Sequence, residues 1–280
     1  MSRQVYYRSI KSVKKRRYIA KQVLALVCEV RLQMPRIGTR KLYYLLQNSL
    51  QELGVGRDRL FRILKANHML IKPKRSYHIT TNSHHRFRKH KNLIEFLEIR
   101  RPEQVWVADI TYVGNRQNPM YLSLVTDAYS KKIKGYNVSN TLEVKGSSQA
   151  LKMAIRNRKY PDKKLIHHSD RGLQYCSDQY QKIINTKSIK CSMTESYDPY
   201  QNAVAERING ILKQEFLLNT QNISLKTMKT LVKQSVEIYN QYRPHLSCNM
   251  LTPNQMHKQN IIKIKNYKIK NLRELQLSEI

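Results

Sequence analysis

A chain of 280 residues with 40% hydrophobic content is long enough for about two domains and a sizeable core, which excludes global disorder. Its 52 Lys and Arg against 19 Asp and Glu leave a net charge of +33, a field that attracts polyanions. Nucleic acid is therefore the leading partner, with an anionic membrane surface as the plainer alternative. No apolar run reaches about 18 residues, no signal-peptide core opens the chain, and Cys28, Cys176, Cys191 and Cys248 form no Cys-x-x-Cys pair. These features exclude a membrane span, a structural zinc site and a disulfide framework, and place the chain in a reducing cytoplasm.

The region from about residue 12 to 69 reads as helical. Ile19, Val23, Leu24, Val27 and Val30 recur at helical spacing until Met34-Pro35. Gly38-Thr39 offers an N-cap for a second helix, Arg40 to Leu53, and a third starts at Arg57 after Gly54-Val55-Gly56. A support helix and two helices joined by a tight glycine turn predict a helix-turn-helix unit over 1–70. Arg57, Arg59, Arg62 and Lys65 would face phosphates; the alternative is a three-helix bundle with a solvated basic face. Residues 71–102 read as a basic linker, whose Arg86, Arg88 and Lys89 would track a phosphate backbone.

From Gln104 the period changes. Val105–Val113, Met120–Asp127 and Lys131–Val138 predict an antiparallel three-strand meander. A helix over Leu142–Lys159 follows, then a strand at Lys164–His168, a helix at Ser177–Asn185, a strand at Ser188–Met193 and a helix at Ala203–Phe216. This order predicts an α/β core with a mixed five-stranded sheet over 103–220. Residues 221–280 carry further helices, Leu225–Tyr242 and Thr252–Gln259, and a basic tail.

Three acids stand out in a chain with few to spare. Asp109 lies in the first strand, Asp170 just past the fourth, and Glu206 early in the last core helix, with 35 residues between the latter two. Parallel neighbours would bring the strand acids together near the strand ends. Their repulsion requires cations, and an all-oxygen ligand set selects Mg²⁺ or Mn²⁺ over zinc. Two such ions about 3.5–4 Å apart suit phosphodiester chemistry. Taken singly, Asp109 reads equally as a strand-end acid, Asp170 as a turn residue and Glu206 as a first-turn acid favoured by the helix dipole. Jointly, the spacing and flanks favour a site. Lys213, two turns after Glu206, shares its helix face and would hold a DNA phosphate, whereas Arg207 and Asn209 are expected to point elsewhere. At most one of His167 and His168 would face the site, in a non-ligand role. Asp127 reads as a turn acid, and Glu195 and Asp198 as loop-shaping.

At these residues the chain resembles the transposases of two-reading-frame bacterial insertion sequences, whose core is of the retroviral-integrase type. The resemblance is carried by Trp106-x-x-Asp109-Ile-Thr-Tyr112, His167-His-Ser-Asp170-Arg-Gly172 and Tyr197-x-Pro199-x-Gln-Asn202-x-x-x-Glu206, then Tyr239-Asn-x-x-Arg243-Pro-His245 and Leu251-Thr-Pro253. It implies an RNase H-like fold and a metal-binding catalytic triad at Asp109, Asp170 and Glu206, with a basic partner at Lys213. It also implies hydrolytic release of a 3′-OH at the element end, followed by strand transfer. The implied partners are double-stranded DNA at the terminal inverted repeats, further copies of the chain on paired ends, and the upstream-frame product; the implied location is the bacterial nucleoid. Viral integrases carry a His/Cys zinc module before the core, and this chain has none. A nuclease that cuts without joining, and a non-catalytic DNA-binding regulator, are the alternative functions.

Overall fold

The computed structural model describes residues 2–72, 90–115, 117–195, 202–219 and 222–258. Arg86, Arg88, Lys89, Asp198 and the basic tail beyond residue 260 lie outside them.

The first helix, α1 (Arg3–Gln33), begins well before the predicted start; Ser2 caps it, its Oγ accepting from the Val5 N–H at 3.4 Å. Its apolar spacing buries Val23 and Val27 completely. The predicted second helix is two, α2 (Thr39–Leu45) and α3 (Gln47–Glu52), with a kink at Leu46 (φ −100°, ψ 14°) that no proline or glycine announces. Gly54 supplies the positive φ (+62°) of the following turn, and the Val55 N–H donates to the Leu50 carbonyl at 2.8 Å. Helix α4 (Arg57–Ala66) then buries Leu60 and Leu64 against Leu42 and Leu50. Each such side chain contributes about 1.5–3 kcal/mol by leaving water.

The sheet has five strands in the order β3-β2-β1-β4-β5. Strands β1 (Val105–Gly114), β2 (Pro119–Asp127) and β3 (Ile133–Ser139) form the predicted antiparallel meander. Helix α5 (Val144–Arg156) crosses back to β4 (Ile166–Ser169), parallel to β1. A short helix α6 (Leu173–Cys176), unforeseen because it is a single turn, leads to α7 (Asp178–Thr186) and to β5 (Lys190–Met193), parallel to β4. Trp106 and Ala108 face one side of the sheet and pack with Ala150, Leu151 and Tyr180. Gly135 allows α5 to lie on β3, since a Cβ there would sit 2.0 Å from the Ala150 carbonyl oxygen.

The opposite face is covered by α8 (Ala203–Glu215) and α9 (Leu225–Tyr242). Val113, Leu122 and Leu124 of the sheet share one continuous core with Ile208 and Leu212 of α8, Val232 of α9, and Val27, Leu42 and Leu64 of the N-terminal helices. Glu215 anchors this junction. Arg243, 1% exposed, donates to both its carboxylate oxygens at 2.7 and 2.8 Å, Lys41 approaches at 3.3 Å, and the Arg36 N–H donates to its backbone carbonyl.

The chain ends its described part in α10 (Pro253–His257), opened by a capping box between Thr252 and Gln255 with Pro253 in the first turn. The motif around Tyr239 is structural. The Asn240 side chain accepts from the Ile133 N–H and donates to the Ile133 carbonyl, both at 3.0 Å, so it pairs the edge strand β3 as another strand would. Tyr239 adds a hydrogen bond from its hydroxyl to the Lys131 carbonyl at 2.8 Å.

At the start of β1, Glu103 is fully buried and accepts from Lys134 Nζ at 2.7 Å and from the N–H groups of Lys159 and Tyr160 at 2.8 and 2.9 Å. His257 of α10 reaches the same carboxylate at 3.3 Å and Ser130 at 2.9 Å. Asp127, also buried, accepts from the Ser130 backbone and hydroxyl and from the Glu103 N–H, which makes it the expected turn acid.

Candidate active site

The parallel register sets the site. Ala108 pairs with Ser169 at the last bridge between β1 and β4, so Asp109 and Asp170 occupy the next position on adjacent chains. Both line one cavity of about 90 Å³ with Thr111, Tyr112, Gly172 and Tyr175. Alternation along β1 turns Asp109 away from Trp106 and towards the α8 side, where its neighbours Val105 and Val107 pack with Ala205.

Asp109 is held by two neutral donors, and Asp170 takes a backbone N–H among its partners. The Ile110 N–H donates to Asp109 Oδ1 at 2.8 Å, and Asn209 Nδ2 donates to Oδ2 at 2.6 Å. The Gly172 N–H donates to Asp170 Oδ1 at 3.1 Å; a Cβ on Gly172 would press on that same oxygen at 3.1 Å. The glycine of the Ser-Asp-Arg-Gly segment thus lets the backbone close around the carboxylate. Burial, and then the charge of Asp170, pushes the Asp109 carboxyl up to about 8, against the pull of its two donors. Glu206 adds a smaller push. Glu206, although exposed, is raised by partial desolvation and by Asp170, and Lys213 is lowered by burial while Asp109 pulls it the other way. The three acids and Lys213 therefore share one electrostatic neighbourhood.

Asn202 places the helix that carries the third acid. It is buried at the start of α8, and its Nδ2 donates to the Ala108 carbonyl at 3.2 Å, one residue before Asp109. That contact holds the first turn of α8, with Glu206 exposed on it, beside β1. Among the described residues no group of three His, Cys, Asp or Glu is close enough to hold a metal ion, so Glu206 is near the two aspartates without closing on them.

The expectation that Asn209 points elsewhere is wrong. It lies three residues after Glu206, which returns to the same helix face as surely as four does, and it is 3% exposed against Asp109. The motif spacing contained that signal. Neither histidine lines the cavity. His167 is buried on the other face, its Nε2 hydrogen-bonded to the Tyr180 hydroxyl at 2.9 Å, and burial and His168 lower it to about 3. His168 Nδ1 meets Ser192 Oγ at 2.9 Å. Arg57, Arg62 and Lys65 are exposed on α4, far along the chain from the cavity; Arg59 is half-buried, its guanidinium donating to the Gly54 carbonyl at 3.2 Å. Glu195 accepts from the Asn92 N–H at 2.9 Å and so shapes its loop. All four cysteines are free.

Residues 99–199 match an integrase core domain, and residues 187–253 match a second integrase core domain model. Over 231 residues the chain is 35% identical to the insertion element IS600 uncharacterized 31 kDa protein of Shigella sonnei, covering 80% of this chain and 85% of that protein. The chain belongs to the insertion-sequence transposases with an integrase core. This transposase is also 34% identical over 161 residues to Transposase InsF for insertion sequence IS3A of Escherichia coli (strain K12), 57% of this chain and 56% of that protein. It thus spans about half the length of InsF. Its fold is similar to that of a chain in the simian T-cell lymphotropic virus intasome in complex with PP2A regulatory subunit B56 gamma. The TM-score there is 0.50 at 19% identity, over 79% of this chain and 75% of that one. The transposase therefore has the integrase fold, a mixed five-stranded sheet flanked by helices and preceded by a helical region. No helix among the described residues is long and apolar enough to cross a membrane.

Proposed function

We propose that this transposase cleaves and joins DNA strands at the ends of its insertion sequence, with Asp109, Asp170 and Glu206 holding two Mg²⁺ ions, for which Mn²⁺ can substitute. The observation that carries this reading is the adjacency of Asp109 and Asp170 in one cavity, with Asp109 raised to about 8 by burial and by its neighbour. Two acids kept side by side at such mutual cost fit a hard cation and an all-oxygen ligand set. Bound there, the ions would lower the pKa of the attacking hydroxyl and stabilise the leaving oxygen.

The chain's own residues do the rest. Asn209 and the Ile110 N–H fix the orientation of Asp109, and the Gly172 N–H fixes Asp170. Lys213, in the field of Asp109, holds a DNA phosphate beside the acids. In the first step a water oxygen attacks phosphorus and the bond to the 3′ oxygen breaks, releasing a 3′-OH. In the second, that 3′ oxygen attacks a phosphodiester of the target and displaces its 3′ oxygen, so no covalent enzyme intermediate forms. Residues 1–70 act as a DNA-binding unit through Arg57, Arg59, Arg62 and Lys65, followed by the linker 71–102, the catalytic core 103–220 and the C-terminal segment 221–280. The partners are duplex DNA at the terminal inverted repeats, further copies of the chain on paired ends and an upstream-frame product, in the cytoplasm at the nucleoid.

The test uses the element's own ends, read from the DNA flanking the gene. Glu206→Gln abolishes Mg²⁺-dependent cleavage and joining while leaving DNA binding intact; unchanged turnover removes Glu206 from the site. Cut products without joined ones, from the unaltered protein, would instead favour a plain nuclease.

A further inference from the structure

Helix α1 is anchored only by its second half. From Arg3 to Tyr18 no residue is buried, and the first fully buried side chain is Val23. Ile19 already packs against the core, so the 16 residues Arg3–Tyr18, about 24 Å of helix, stand off the body. Over Arg3–Lys21 this arm carries Arg3, Arg8, Lys11, Lys14, Lys15, Arg16, Arg17 and Lys21 and no acidic residue. At about 100° per residue, all of them except Arg16 fall within roughly half the circumference.

Such an arm is poorly explained by the chain alone. A helix with no packed face gains nothing from burial, and like charges three and four residues apart, such as Lys11 with Lys14 and Lys15, destabilise it by a few tenths of a kcal/mol per pair. A polyanion along the cationic side removes that repulsion. Exposed Tyr7 and Tyr18 project on the same side, offering stacking and hydroxyl contacts.

We propose that residues 3–21 of α1 form a second DNA-binding surface, an arm that lies along duplex DNA and contacts its phosphates through Lys11, Lys14, Lys15 and Arg17. It uses residues other than Lys213 and the basic residues of α4. It rests on the DNA-acting reading of the chain only in the choice of polyanion, because binding here needs neither metal nor the carboxylates.

The test compares the full chain with a variant carrying Lys11→Gln, Lys14→Gln, Lys15→Gln and Arg17→Gln, all exposed positions at which glutamine keeps helix propensity. Binding to a 30-base-pair mixed-sequence duplex is followed by fluorescence anisotropy in EDTA across a salt series. Affinity should fall at least about tenfold, and the slope of log K against log salt should become shallower by about 3. A control removes four exposed lysines elsewhere, Lys187, Lys226, Lys229 and Lys233. Equal losses in both variants reduce the effect to net charge and overturn the proposal, as does an unchanged slope in the arm variant. An unchanged slope with a fall in sedimentation mass would assign the arm to a second copy of the chain, which also overturns it. Circular dichroism confirms that both variants fold. Loss of activity in Glu206→Gln leaves this result untouched, so the two readings fail separately.

Discussion

Two carboxylates at either end of one stretch of chain, Glu103 just before β1 and Asp109 within it, are treated in opposite ways. Glu103 opens β1 among Lys134, His257 and two backbone N–H groups. Burial alone would raise its carboxyl, but those hydrogen bonds hold it well below the usual carboxylate range. Six residues on, within the strand, Asp109 receives one backbone N–H and one carboxamide, faces Asp170, and is pushed up to about 8. The first acid is matched by cations of the chain and is a fixed part of the fold. The second is raised instead of lowered, as the metal-binding role proposed for it would require.

Breaking each end separately gives the largest contrast. Asp109→Asn should lower Mg²⁺-dependent cleavage by about 10⁴-fold or more, as loss of several kcal/mol of metal assistance requires, while melting at no lower temperature in EDTA. Glu103→Gln should do the reverse. It strands a buried Lys134 and should cost about 3–5 kcal/mol in urea unfolding, while the activity of whatever remains folded stays near that of the unaltered protein. If Asp109→Asn is strongly destabilised, Asp109 belongs with Glu103 as a structural acid.

Asn209→Leu sharpens the comparison from the donor side. It removes the 2.6 Å hydrogen bond to Asp109 and should cost about 10²-fold in kcat through misplacement of the carboxylate, with little change in melting temperature. Gly172→Ala, which crowds Asp170 Oδ1, should cost about tenfold by the same reasoning.

The smallest effect is in pH dependence, and its sign differs between the two ends. The folded pKa of Asp109 lies above its ordinary 3.8, so in EDTA its charge destabilises increasingly as pH rises towards about 8. The melting temperature of Asp109→Asn should therefore gain on that of the unaltered protein between pH 4 and pH 8. The folded pKa of Glu103 lies below its ordinary 4.5, so its contribution is complete above 4.5 and is lost as pH falls below it. The deficit of Glu103→Gln should shrink in acid. Parallel pH profiles for the two variants would dissolve the distinction drawn between the two ends.

Much of the core was readable from the residues alone. The meander, the crossover to a parallel fourth strand and the helix after it follow from period-two and period-3.6 apolar patterns, because one buried face leaves a chain little freedom in where its apolar residues fall. The kink at Leu46 was not readable, since no helix-breaking residue marks it, and neither was the single-turn α6. The early start of α1 escaped because its first four turns have no buried face to generate a pattern.

The sequence by itself determined which acids were candidates and, through the apolar pattern, a mixed sheet in which parallel neighbours could bring two of them together. Tertiary structure alone decided that the register Ala108–Ser169 sets Asp109 beside Asp170, that Asn209 turns to the site, and that Glu103 and Glu215 are absorbed into ion clusters. The reason is range. Periodicity reports each residue's own face, whereas the charge an acid keeps depends on partners as far as 174 residues away, which only the folded chain brings within hydrogen-bonding distance.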